Sequence, residues 1–234
     1  MNIVTRFFNS SLGRKYIMAL TGFAMVGFVI AHLFGNLQVF LGPEAINRYG
    51  AFLQNLGELL WVARIGLLGM ILLHVWAAIK LSAENKAARP IAYENYDPTA
   101  ASYASRTMLM SGLIILFFII YHLLHFTVQI PGINFTDTDF RLMHDAQERH
   151  DVFGMMVLGF RQPLVSLFYI VGVALLALHL SHGVSAMFQS LGWKKKSYAC
   201  LLDGAAKAIA IFIFVGYSSI PIAILLGFGK EALK

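Results

Sequence analysis

The chain has little cysteine and little charge, and each shortage excludes something. Its one cysteine, Cys200, cannot close an internal disulfide, hold an iron–sulfur cluster or make a Cys-x-x-Cys-His haem attachment. Any cofactor must therefore be held by other side chains. Lys, Arg, Asp and Glu make up only 13% of the 234 residues, about half the share found in an ordinary soluble domain, which excludes a water-soluble globular fold. Six prolines and a lack of low-complexity tracts leave no candidate linker to a second domain. No strand alternation competes with the helical pattern.

What is abundant is apolar: 58% of residues are hydrophobic and the mean hydropathy is +0.69. Apolar runs longer than about 18 residues recur, the length that reads as a membrane-spanning helix. Five such helices are expected, at roughly 16–41, 58–82, 107–130, 163–188 and 204–229, giving an all-α integral membrane protein with a single membrane domain over 1–234. The first run continues far past a signal-peptide core without a small-residue cleavage site, so it is read as a retained helix.

The connections alternate in charge. Arg6, Arg14, Lys15, Lys80, Lys86, Arg89, Arg106, Lys194, Lys195, Lys196 and Lys207 fall on one side. The other side carries most of the acids, including Asp137, Asp139, Asp145, Glu148 and Asp151. The positive-inside rule then puts the N-terminus in the cytoplasm and the C-terminus outside. The net charge of +6 reflects this bias, not nucleic-acid binding. Residues 42–57 space Ile46, Tyr49, Phe52, Leu53 and Leu56 as a short helix lying on the outer interface. Residues 131–162 read as a polar cap. The cytoplasmic connection 83–106, with Pro90, Tyr93, Tyr96 and Pro98, is the expected docking surface for a soluble partner.

Six of the eight histidines fall inside these helices: His32, His74, His122, His125, His179 and His182. An ionisable side chain in hydrocarbon is costly unless neutral and engaged, so a set of six points to function. Depth pairs them. His32 and His122 each lie about 22–24 Å from the cytoplasmic starts of helices one and three, and His74 and His179 about 24 Å from the outer starts of helices two and four, at about 1.5 Å per residue. One pair sits toward the outer surface and the other toward the inner. Two hexacoordinate metal centres fit this arrangement, since imidazole suits haem iron, whereas zinc wants more protein ligands than each pair offers. Thr21-Gly22 and Ser111-Gly112, each glycine ten residues before its histidine, and Gly172 on helix four supply small residues where a wide ring must pass. His125 and His182 each follow a candidate ligand by three residues, so either member of each couple can be the ligand on spacing alone. The loop histidines His144 and His150 read as solvated.

The stretches TGFAMVGFVIAHLFGN (21–36), LLHVW (72–76), SGLIILFFIIYHLLHF (111–126) and LFYIVGVALLALHLSHG (167–183) resemble the two-haem cytochrome b anchor of succinate:quinone oxidoreductases and quinol:fumarate reductases, respiratory complex II. The resemblance spans nearly the whole chain. It implies two b haems, with His32 and His122 holding the outer and His74 and His179 the inner, while His125 and His182 stand behind them as hydrogen-bonding neighbours. It implies a flavoprotein and an iron–sulfur partner on the cytoplasmic face of a bacterial inner membrane, exchanging electrons with quinone, here menaquinone, in the respiratory chain and the tricarboxylic acid cycle. Glu58, Gln38 and Arg64 are the quinone-site candidates. The chain itself has no flavin, dinucleotide or dicarboxylate fingerprint, so it is expected to be a subunit of the enzyme with no catalytic residue of its own. One departure is Ala177, where related fumarate reductases can carry a proton-conducting glutamate. The rival readings are the two-haem cytochrome b of a nitrate reductase or hydrogenase, and a histidine-lined transporter of a metal or small anion.

Overall fold

A computed structural model describes residues 2–88 and 103–233. The expected docking surface in 83–106 falls largely on residues outside that set. The described chain is helical: α1 (Ile3–Asn9), α2 (Ser11–Leu37), α3 (Pro43–Gln54), α4 (Glu58–Ala87), α5 (Tyr103–Arg106), α6 (Met108–His122), α7 (Val152–Phe160), α8 (Pro163–Ser190) and α9 (Ala199–Leu225). A 3-10 turn, Gln38–Leu41, prolongs α2, and a π turn, Leu123–Thr127, prolongs α6. Among the described residues there is no strand, only an isolated bridge between His144 and His150. Five segments are long and apolar enough to cross a membrane: Ser11–Leu41, Glu58–Ala87, Met108–Thr127, Pro163–Ser190 and Ala199–Leu225.

Their ends differ from the hydropathy reading for local reasons. The first span begins at Ser11, five residues earlier than expected, because the Ser10 hydroxyl accepts from the Gly13 amide at 2.9 Å and caps the helix. Arg14 is buried in the first turns. It donates to the Phe8 carbonyl at 3.0 Å and pairs with Glu84, so neither charge breaks its helix and α4 runs on to Ala87. The fifth span begins at Ala199 because Asp203 is bonded to Lys194 (2.7 Å) and to Ser185, which lets a carboxylate sit inside the helix. The helix ends at Leu225, and Gly227 follows it at φ 109°, in the left-handed region that favours glycine.

Helical contacts divide the chain into two compact units. The first comprises Met1–Phe28, Arg64–Leu113 and Leu178–Ala210, the second Val29–Ala63, Ile114–Ala177 and Ile211–Lys234. In the first unit the buried set is small-residue and aliphatic, with Ala19, Ala77, Leu81, Leu180, Val184 and Ala206. Much of α4 is exposed and apolar, through Ile65, Leu68, Leu72, Leu73 and Ile79. That is the surface expected of a helix solvated by lipid, where apolar groups face outward.

The second unit has the larger core: Val39, Ile46, Phe153, Met156, Val157, Phe160, Val165, Tyr169, Ile220 and Ile224. Residues 131–162 are therefore more than a polar cap. Within them α7, VFGMMVLGF, is almost entirely buried; its run of nine uncharged residues was the available signal, masked by the acids before it. Asp151 caps α7, its Oδ1 accepting from the Gly154 amide at 2.9 Å. His150 is half-buried, not solvated. The Gln129 amide nitrogen lies 2.9 Å from its Nε2, and burial holds its pKa below the usual value. His144 is exposed, as read from sequence.

Residues 42–57 do form a helix, α3, and it is tied to α7 by a polar staple. Asn47, 1% exposed, accepts from the Phe153 amide (2.9 Å) and donates to Asp151 (3.0 Å) and Asp145 (3.3 Å). Arg149 adds ion pairs to Glu44 (2.6 Å) and Asp145 (2.7 Å). Partial desolvation opposes ionisation of Asp145, but bonds from the Arg149 guanidinium, from two backbone amides and from Asn47 outweigh it and hold its pKa at about 2.

Two outcomes are expected for this staple. Asn47→Ala leaves the buried Phe153 amide without a partner and takes one donor from each of Asp145 and Asp151, a loss of about 1–3 kcal/mol, and Asn47→Asp is worse because it brings a third carboxylate to Asp145 and Asp151. Thermal unfolding in detergent and protease cleavage within 131–153 measure both. Because the Asp145 pKa is depressed, its contribution is fully present above the ordinary carboxylate range near 4 and is lost as pH falls from about 4 towards 2. The wild-type unfolding midpoint should drop over that window, and the drop should shrink in Arg149→Gln.

Candidate functional site

The six helix histidines divide between the two units. His74, His179 and His182 belong to the first, and His32, His122 and His125 to the second. In the second unit, α2 and α6 bring His32 and His122 face to face, with ring centroids 5.8 Å apart and planes crossed at 78°. Tyr217 of α9 flanks His32 at 6.2 Å and is held there by a 2.7 Å bond from its hydroxyl to the Val29 carbonyl. Phe118 stacks on His122 at 6.2 Å. Gly172, which spacing suggested as a passage for a cofactor ring, receives the Phe118 ring instead.

His125 does not share this face. The π turn, marked by the Val128 amide bonding to the Leu123 carbonyl five residues back at 2.8 Å, widens the helix where His125 sits and turns it away from His122. It is fully buried in an aromatic box, 3.9 Å from Phe126 and 5.8 Å from Phe140. Its Nδ1 lies 3.0 Å from the Tyr169 hydroxyl, whereas its Nε2 points at Gly159 without a hydrogen-bond partner. Tyr169 also lies 3.4 Å from the His122 Nδ1. A regular three-residue spacing conceals this divergence, so Tyr169 and the π turn are what sequence reasoning missed.

In the first unit the arrangement is duplicated. Thr21 of α2 lies 3.1 Å from the Nδ1 of His74 on α4, and Ser111 of α6 lies 3.2 Å from the Nδ1 of His179 on α8. The glycine after each hydroxyl residue makes room for the same imidazole: a Cβ on Gly22 would stand 3.5 Å from the His74 Cε1, and one on Gly112 3.3 Å from the His179 Cε1. The matched Thr-Gly and Ser-Gly dipeptides thus receive histidines. His74 and His179 are close enough to interact electrostatically. His182 is half-buried within range of the charges of Lys194 and Asp203.

The quinone candidates are dispersed along the chain. Glu58 is the exposed first residue of α4, Gln38 is half-buried at the start of the 3-10 turn, and Arg64 is exposed on α4. A polar cavity of about 350 Å³ in the second unit is lined by Phe135, Thr136, Asp137, Leu158, Arg161 and Gln162. Among the described residues no three His, Cys, Asp or Glu side chains converge as a metal site. What remains is imidazole pairs, a donor set for a metal that brings its other ligands with it.

The glycine contacts differ enough to test. Alanine is a better helix former by about 0.8–1.0 kcal/mol, and at position 22 its methyl meets His74 at ordinary contact distance, so Gly22→Ala should leave the unfolding temperature unchanged or raise it. At position 112 the approach is tighter and His179 must shift, so Gly112→Ala should gain less or lose stability, and Gly112→Val should lose clearly. Thermal unfolding of the three variants in one detergent ranks them. Compared with protein-family models, with curated proteins and with solved structures, the chain matches none.

Proposed function

We propose that this chain is the membrane anchor and electron-transfer subunit of a succinate:quinone oxidoreductase or quinol:fumarate reductase, holding two b haems between imidazole pairs. The observation that carries the reading is the pairing: His32 opposite His122 in one unit, and His74 and His179 held by equivalent hydroxyl–glycine dipeptides in the other. The donor set fits the group. His32 and His122 face each other with ring centroids 5.8 Å apart, and a pair of neutral imidazoles is a donor set that would suit haem iron. His32 and His122 would hold one haem, His74 and His179 the other.

Haem iron supplies one-electron reduction and reoxidation. The protein's part is to hold the imidazoles at fixed orientation and to keep water from them, which Phe118, Tyr169 and Tyr217 do around His32 and His122. The reading includes an iron–sulfur and a flavoprotein partner on the side of Lys194–Lys196 and a membrane quinone, menaquinone, as the electron carrier, in a bacterial inner membrane with the N-terminus cytoplasmic.

A reduced-minus-oxidised spectrum of the purified complex should report b-type haem at two per chain. His32→Ala and His122→Ala should each remove the same haem, and His74→Ala and His179→Ala the other, because each iron loses one of two strong ligands. Absence of haem, or loss of the same haem in the His32 and His74 variants, overturns the reading. Co-isolation with a flavin-bearing subunit supports complex II, and molybdenum or nickel in the complex refutes it. For orientation, Lys194–Lys196 should resist a membrane-impermeant amine reagent added to intact cells; labelling from outside reverses the topology.

A further inference from the structure

We infer that Thr21 and Ser111 are positioning residues that lock His74 and His179 as the Nδ1–H tautomer, so that each imidazole presents its Nε2 lone pair. The inference deepens the metal-binding reading above and rests on it for its purpose, though not for its geometry.

A serine or threonine hydroxyl has one proton and two lone pairs. Thr21 Oγ1 stands 2.7 Å from the Ile17 carbonyl and 3.3 Å from that of Met18, and Ser111 Oγ 3.1 Å from the Met108 carbonyl. A carbonyl only accepts, so each hydroxyl donates its proton to its own helix. The oxygen that then faces the imidazole can only accept, and the histidine nitrogen at 3.1 or 3.2 Å must carry the hydrogen. With Nδ1 protonated in a neutral ring, Nε2 is unprotonated and is the nitrogen able to bind a metal. Thr21 and Ser111 are 8% and 5% exposed, so bulk water does not compete for the bond. The flanking glycines bring helix backbone close enough for so short a side chain to reach across.

The same accounting explains why one histidine of the neighbouring couple is set apart. Tyr169 has one hydroxyl proton and stands between the Nδ1 atoms of His122 and His125. Where it gives its proton to one ring and accepts from the other, only one of the two has a free Nε2 lone pair. His122 is the ring that faces His32, and the His125 Nε2 faces Gly159. The free lone pair belongs to His122, and His125 carries its proton on Nε2.

The test is nitrogen-15 NMR of the reduced, histidine-labelled protein, with assignments from single-histidine variants, run beside a redox titration. Wild type should show Nδ1 protonated and Nε2 unprotonated at His74 and His179. Thr21→Val and Ser111→Ala should shift the Nδ1 resonance from that of a hydrogen-bonded N–H to that of an unbonded one at the facing histidine only, and should raise the midpoint potential of the haem it serves, because an accepting hydroxyl makes the ligand more electron-rich. Thr21→Ser keeps the hydroxyl and should restore both properties. Nε2 protonation at His74 and His179 in wild type, or Thr21→Val behaving like Thr21→Ser in both readouts, overturns the inference. A haem-free wild type overturns the proposed function alone, since the tautomer signal is read without haem.

Discussion

An imidazole removed from water has two ring nitrogens to satisfy, and in this chain that requirement organises the helix interior. A polar group in an apolar interior costs free energy unless it is bonded. The structure answers with hydroxyls from neighbouring helices: Thr21 for His74, Ser111 for His179, Tyr169 for His122 and His125. Each bond is also a helix–helix contact, so the polar pairs that hold the histidines also set the helix spacing. Glycine beside the hydroxyl leaves room for the ring it faces: a Cβ at position 112 would press on His179, while one at position 22 would only touch His74.

The second unit adds a different kind of order. There a buried amide, Asn47, and an arginine, Arg149, gather Glu44, Asp145 and Asp151 between α3 and α7. These carboxylates give the connection its polar reading, yet they serve a helix that is almost wholly buried. The acids satisfy backbone and side-chain donors at the end of α7, which lets an apolar nine-residue helix pack against Val39, Ile46 and Ile220. Surface-type chemistry in the sequence is thus used to close a core.

Much of the architecture was legible because hydropathy is a property of composition along a helix and needs no partner. The five spans were found in order, and their misplaced ends trace to Ser10, the Arg14–Glu84 pair and the Lys194–Asp203 bond, interactions with residues that a window of hydropathy does not see. α3 was readable from its apolar spacing. α7 is hidden in the sequence by its charged neighbours. The importance of Thr21-Gly22 and Ser111-Gly112 was evident from their matched distance to His32 and His122, but what they face was not, since the rings they receive belong to histidines on other helices.

By itself the sequence determined that the chain is helical, with five helices long and apolar enough to cross a membrane, and that its helix histidines fall at two levels along them, because rise per residue and apolar length are local quantities. Only the tertiary structure decided which ring nitrogen meets which hydroxyl and that His122, not His125, confronts His32. That choice rests on a π turn and on a tyrosine from α8. A three-residue spacing on an ideal helix leaves both histidines on one broad face, and the widened turn, stabilised by packing against Phe126, Phe140 and Gly159, separates them.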